Sequence, residues 1–339
     1  MADQIAQVEA SHPPEDLYGA QGFIPLGFIR NPDGSITREV VDPINPVSSY
    51  DSSPILLVKD IPVNPSKNTW VRVFLPKEPI KSSPDKKLPL LIYIHGGGLI
   101  KCSAAHPFFD DIYSIFAADI PAVILTIEYR LAPEHRLPAA YEDCLEVLQW
   151  IKNSQDEWLT QHADLSNSFI FGNSAGGNIA YHVCLIASSC VDDLKPLNIK
   201  GVILHQPFLG GVKRTESELR GVNDKILPQA TVDIGWELAL PVGADRDHEF
   251  CNPMLSIKLG QFDAIKGLGW KILVAGYEGD PLSDRQVELA KILEENGVEV
   301  VAKFDKGGYH GIEFYELSKM KILCDVVKKF VESFANVTA

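Results

Sequence analysis

Ser174 lies at the centre of Gly172-Asn173-Ser174-Ala175-Gly176. Phe169-Ile170-Phe171 leads into it, and a helix-like segment from Gly177 to Ala187 follows. That order predicts a strand, a sharp turn and a helix, with the serine at the apex. A strained backbone there exposes the hydroxyl. Glycines two residues either side leave room where strand and helix crowd the turn. The helix N-terminus favours negative charge developing beside the serine. A bare Gly-x-Ser-x-Gly also occurs as a tight turn in α/β proteins. The strand before it and the helix after it make Ser174 a candidate nucleophile.

A serine hydroxyl is a poor nucleophile until a base takes its proton, and that base is normally a histidine oriented by a carboxylate. The chain has 9 histidines, so position must decide. His310 lies in Lys306-Gly307-Gly308-Tyr309-His310-Gly311, a glycine-rich loop just after the last expected strand. Loops at the C-terminal ends of parallel strands are where such sheets place their chemistry. His12, His106, His135, His162, His182 and His248 are read as ordinary histidines. His205 ends a strand and is a candidate pocket residue. For the carboxylate, Asp280 follows an expected strand in Glu278-Gly279-Asp280-Pro281-Leu282. Its rivals are Glu278, Asp284 and Asp305. Asp284 falls at a helix start and reads as a cap, and Glu278 is the second choice. His95-Gly96-Gly97-Gly98 follows an apolar run. Its glycines let backbone N–H groups converge, so Gly97, Gly98 and the amide of Ala175 form a candidate oxyanion hole.

These residues need a scaffold. Leu88 to Ile94 and Ala122 to Tyr129 are nearly unbroken apolar runs, as in strands buried on both faces. Phe169–Phe171, Gly201–Gln206, Trp270–Tyr277 and Val298–Phe304 add four more strands. Helical spacing fits Pro138–Asn153, Ser283–Asn296 and Leu317–Ala335. The alternation predicts an α/β fold with a mainly parallel sheet covered on both faces. Alternation in Trp70–Pro76 suggests an antiparallel edge region. The stretch from about 208 to 265 is broken by Gly and Pro and reads as a cap insertion. Residues 1–50, with the apolar patch Phe23–Ile29, are read as the other part of that cap, and 51–339 as the main domain.

The chain has 339 residues, 45% hydrophobic and 22% charged, which is ample for a large core. A net charge of −14 makes nucleic acid and anionic membranes poor partners. The 6 cysteines include no Cys-x-x-Cys pair, so no metal is expected and several thiols should simply be buried. No signal-type core or membrane-length apolar run occurs, and a cytoplasmic location is the expectation. The expected species is a monomer or homodimer that needs no cofactor.

The sequence resembles the hormone-sensitive-lipase branch of the α/β-hydrolases, and closely the plant carboxylesterases within it. The resemblance spans roughly residues 50 to 335. It rests on His95-Gly96-Gly97-Gly98, on Glu128-Tyr129-Arg130-Leu131-Ala132-Pro133-Glu134 with Leu137-Pro138-Ala139-Ala140, on Gly172-Asn173-Ser174-Ala175-Gly176-Gly177, on Asp280-Pro281-Leu282 and on His310. It implies the α/β-hydrolase fold, with Ser174 as nucleophile, Asp280 as acid, His310 as base, and Gly97, Gly98 and Ala175 as oxyanion donors. Leu99 stands where many relatives have an aromatic residue, and Asn173 where many have an acid. The implied activity is hydrolysis of small to medium carboxylic esters, such as acetyl or methyl esters of plant specialised metabolites. Dehydratases and cyclases on the same scaffold give a lyase alternative. Gibberellin receptors, which lack the catalytic histidine, give a less favoured binding alternative. Leu99, Ile100, His205, Phe208, Leu209 and Ile312 are the expected substrate-binding residues.

Overall fold

The computed structural model describes residues 28–30, 36–38, 55–83, 85–106, 113, 115–117 and 119–334. Strands β1 (Phe28–Arg30) and β2 (Ile36–Arg38) form an antiparallel two-stranded sheet. Otherwise, the expected cap role of residues 1–50 lies outside the described residues.

The main sheet contains β3 (Leu56–Asn64), β4 (Thr69–Pro76), β5 (Leu88–Ile94), β6 (Val123–Glu128), β7 (Ala163–Asn173), β8 (Ile199–His205), β9 (Lys271–Tyr277) and β10 (Glu299–Asp305). Its order is β10-β9-β8-β7-β5-β6-β4-β3. Strands β5 to β10 run parallel, and β4 is antiparallel to both of its neighbours. The apolar run Leu88–Ile94 is strand from its first residue to its last. The antiparallel pair does close one edge, but β3 is outermost and β4 is buried throughout. Arg72 can be buried there because Asp60, its register partner on β3, accepts from Nε at 2.7 Å and Nη2 at 2.9 Å.

The α-helices bounded within the described residues are α1 (Lys77–Ser82), α2 (Ala139–Asn153), α3 (Glu157–His162), α4 (Ala175–Ser189), α5 (Glu216–Arg220), α6 (Gln229–Ala239), α7 (Asp263–Leu268), α8 (Ser283–Glu295) and α9 (Leu317–Glu332). Successive strand residues point to opposite faces. Ile92, Ile170, Leu204 and Val274 therefore meet apolar residues of α2, α4 and α8 on one face. Tyr93, Phe171, Ile203 and Leu273 meet Met320, Val327 and Phe330 of α9 on the other.

Between β8 and β9 the chain runs through α5, α6 and α7. Within this segment Trp236 stacks on Phe208 with ring centroids 4.7 Å apart, and Leu137 N–H, donating to the Ala239 carbonyl at 2.8 Å, ties it to the body. Cys144, Cys184, Cys251 and Cys324 are buried thiols. No helix among the described residues is long and apolar enough to cross a membrane.

Candidate active site

Ser174 follows β7 directly, with φ 53° and ψ −117°. A non-glycine residue at positive φ is strained and persists only where its surroundings fix it. Here the Ser174 N–H donates to the His205 carbonyl at 2.9 Å. Its own carbonyl accepts from Gly177 N–H at 2.9 Å and Phe208 N–H at 2.8 Å. The flanking glycines are sterically required. A Cβ on Gly172 would lie 2.0 Å from the Gly176 carbonyl oxygen, and one on Gly176 would lie 1.9 Å from that of Ile94.

The hydroxyl of Ser174 lies 2.8 Å from Nε2 of His310, and Nδ1 of His310 lies 2.9 Å from Oδ2 of Asp280. The three side chains come from loops after β7, β10 and β9, all at C-terminal strand ends. Asp280 is 1% exposed, and Ser174 and His310 are each 8% exposed. Burial alone would raise the Asp280 carboxyl pKa. The His310 charge, with hydrogen bonds from His310, the Leu282 N–H and Gln286, reverses that and holds it below the ordinary value. Burial alone would lower the His310 pKa, but the Asp280 charge and hydrogen bond raise it above the ordinary value. Such a chain can withdraw the serine proton and keep the resulting imidazolium oriented and paired.

The glycine loop after β5 passes beside the serine. A Cβ on Gly96 would sit 3.2 Å from Ser174 Cβ. Gly97 and Gly98 have φ of 115° and 62°, and a Cβ on Gly97 would meet the Lys101 carbonyl oxygen at 2.2 Å. The Glu-Tyr-Arg segment that begins on the last residue of β6 holds this loop. The Tyr129 hydroxyl donates to the His95 carbonyl at 2.9 Å. Glu128 accepts from Ser103 Oγ at 2.8 Å and Ala104 N–H at 2.6 Å. Arg130 is itself fixed to Asp143 of α2 through Nε at 2.8 Å and Nη2 at 2.7 Å. Burial pushes the His95 pKa down to about 4, so its ring is neutral at physiological pH.

The remaining expected residues separate. Glu278 is exposed on the surface. Asp284 does not cap α8: it sits in the first turn and accepts from the Ser217 N–H of α5 at 2.8 Å. Leu99, Ile100, Phe208 and Leu209 are buried in the core, and Ile312 packs with Tyr277 and Tyr309. His205 is not brought to the serine hydroxyl. It shares strand parity with Ile203 and meets Asn173 through Nδ1 at 2.7 Å and Glu313 through Nε2 at 2.9 Å. Sequence reading overlooked Gln206 and Gln286, whose Nε2 groups donate to Asp280 Oδ2 at 3.0 Å and 2.9 Å. The available signal was Gln206's place at a strand C-terminus, like the three residues singled out.

Comparison with known proteins agrees with this architecture. The family described as alpha/beta hydrolase fold matches residues 91–314. Carboxylesterase 20 of Arabidopsis thaliana is 45% identical over 318 residues, 93% of this chain and 97% of that one. A 3-O-acetylpapaveroxine carboxylesterase of Papaver somniferum is 40% identical over 315 residues, 90% of this chain and 98% of that one. The solved structure of an esterase from Pyrobaculum calidifontis superposes with a TM-score of 0.70 at 25% identity, covering 84% of this chain and 87% of that one. The chain belongs to the α/β-hydrolase family, among its plant carboxylesterases.

Proposed function

We propose that this protein is a carboxylic ester hydrolase that works through an acyl-enzyme on Ser174. The observation that carries the reading is the continuous chain from Ser174 Oγ to His310 at 2.8 Å and from His310 to Asp280 at 2.9 Å. His310 Nε2 takes the hydroxyl proton as Ser174 Oγ attacks the ester carbonyl. The carbonyl oxygen becomes an oxyanion, and the N–H groups of Gly97, Gly98 and Ala175 are its proposed donors. As the C–O bond breaks, His310 passes its proton to the departing alkoxide and the alcohol leaves. A water then gives its proton to His310 and attacks the acyl carbon. Collapse releases the carboxylic acid and restores Ser174. Asp280 stays ionised and fixes the imidazole tautomer throughout.

Small acyl groups, acetyl in particular, are the proposed substrates. The name of the poppy relative, a 3-O-acetylpapaveroxine carboxylesterase, supports this choice. A panel of 4-nitrophenyl esters of rising chain length tests this. Acetate should be turned over with the highest kcat/KM. A profile that rises steadily with chain length contradicts the small-acyl assignment.

A further inference from the structure

Five strands send loops to this site. The loop after β5 carries the glycines, and those after β7, β9 and β10 carry Ser174, Asp280 and His310. The fifth, after β8, begins with Gln206, whose side chain is completely buried. Its Nε2 donates to Asp280 Oδ2 at 3.0 Å and to the Tyr309 carbonyl at 3.2 Å. Its Oε1 accepts from the Gly311 N–H at 2.8 Å. One amide therefore bonds the carboxylate and the peptide groups on both sides of His310.

The orientation of that amide follows from its partners. Flipped, its oxygen would face the Asp280 carboxylate and the Tyr309 carbonyl, and its NH₂ would face the Gly311 N–H, so every contact would become repulsive. The backbone of Gln206 has φ 44°, a strained value for a residue with a side chain. Its N–H is held by the Ala275 carbonyl of β9 at 2.7 Å. His310 needs such a clamp. Its loop follows a largely exposed edge strand, and nearby Gly308 and Gly311 have φ of 74° and 71°.

We propose that Gln206 is a positioning residue that locks the Asp280–His310 pair onto the serine, by donating to the acid and bridging both neighbours of the base. Gln286 donates to the same Asp280 oxygen at 2.9 Å but acts on the acid alone. The inference rests on the ester-hydrolase reading for its effect on turnover, not for its effect on the imidazole.

The test uses Gln206→Met and Gln206→Glu in the full chain, with two readouts. The first is hydrolysis of 4-nitrophenyl acetate. The second is NMR titration of the His310 imidazole in substrate-free protein, its resonance assigned by its loss in His310→Asn. Gln206→Met removes all three hydrogen bonds and should lower kcat about tenfold to hundredfold with KM nearly unchanged, as misplacement of a catalytic pair does. Gln206→Glu keeps the acceptor for Gly311 but sets a second carboxylate against Asp280. The His310 pKa should then rise, and the acid limb of kcat/KM should move to higher pH with it. If Gln206→Met melts like the wild type and keeps its kcat, the proposal is wrong. If Gln206→Met does not fold, Gln206→Glu decides, and an unmoved His310 titration overturns the proposal. Absence of hydrolysis by the wild type would defeat the ester-hydrolase reading, while the titration would still judge the Gln206 contact.

Discussion

The hydroxyl of Tyr129 donates to the backbone carbonyl of His95 at 2.9 Å, and the two rings stack with centroids 4.3 Å apart. The end of β6 thus holds the glycine loop that follows the neighbouring strand β5. The loop also hangs from Glu128, through Ser103 and Ala104, and from the Ala132 N–H, which donates to the Leu99 carbonyl at 2.9 Å. Two motifs far apart in the chain are therefore one device, in which Glu-Tyr-Arg braces His-Gly-Gly-Gly.

Tyr129→Phe keeps the ring stack and removes only the hydroxyl. A buried carbonyl then loses a donor, at a cost of about 1–3 kcal/mol. The variant should fold, melt at lower temperature and hydrolyse 4-nitrophenyl acetate with reduced kcat. Unchanged melting and turnover would mean that this hydrogen bond does not support the loop.

Gly176→Ala should be far more damaging. The new Cβ meets the Ile94 carbonyl at 1.9 Å and that of His95 at 2.7 Å, and both atoms are backbone. Neither can rotate away, so the strain should reach about 3 kcal/mol or more. Loss of soluble expression, or a much lower melting midpoint by circular dichroism, is the expected result.

Much of this arrangement was legible in the sequence because it depends on short-range pattern. The run Leu88–Ile94 reads as a doubly buried strand and is one. Gly-Asn-Ser-Ala-Gly carries its turn in its own composition, and the close approaches at Gly172 and Gly176 explain both glycines. What stayed hidden depends on register between distant strands. His205 and Gln206 are adjacent, yet His205, at the end of β8, meets Glu313, while Gln206, just beyond the strand at φ 44°, reaches Asp280. Read along one strand, the histidine looks like the chemical residue and the glutamine like a strand end. Asp284 read as a helix cap because its partner, the Ser217 N–H, lies 67 positions earlier. Position in the chain ranked Asp280 ahead of Glu278, and the fold leaves Glu278 exposed and draws Asp280 inside.

That contrast gives a third prediction. Asp280→Asn should lower kcat by about 10³- to 10⁴-fold, because the amide cannot hold the productive imidazole tautomer. Glu278→Ala should leave kcat within about twofold of wild type, as surface changes away from a site do. A larger loss from Glu278→Ala would reassign the acid.

The pH profile follows from the same pair. His310 accepts the serine proton only when neutral, so activity rises as pH climbs through its pKa. Asp280 raises that pKa, which places the acid limb of kcat/KM above the ordinary imidazole value of about 6.5. Asp280→Asn removes the charge, and what activity remains should show a limb at lower pH. An acid limb that stays in place in that variant would contradict the assignment of His310 as the titrating base.

The most direct test is mass spectrometry of the protein quenched during turnover of 4-nitrophenyl acetate. The account predicts one acetyl group on the peptide containing Ser174, and neither adduct nor turnover in Ser174→Ala, whose kcat should fall on the order of 10⁶-fold. An unmodified Ser174 peptide in actively hydrolysing enzyme, or full activity in Ser174→Ala, would contradict it.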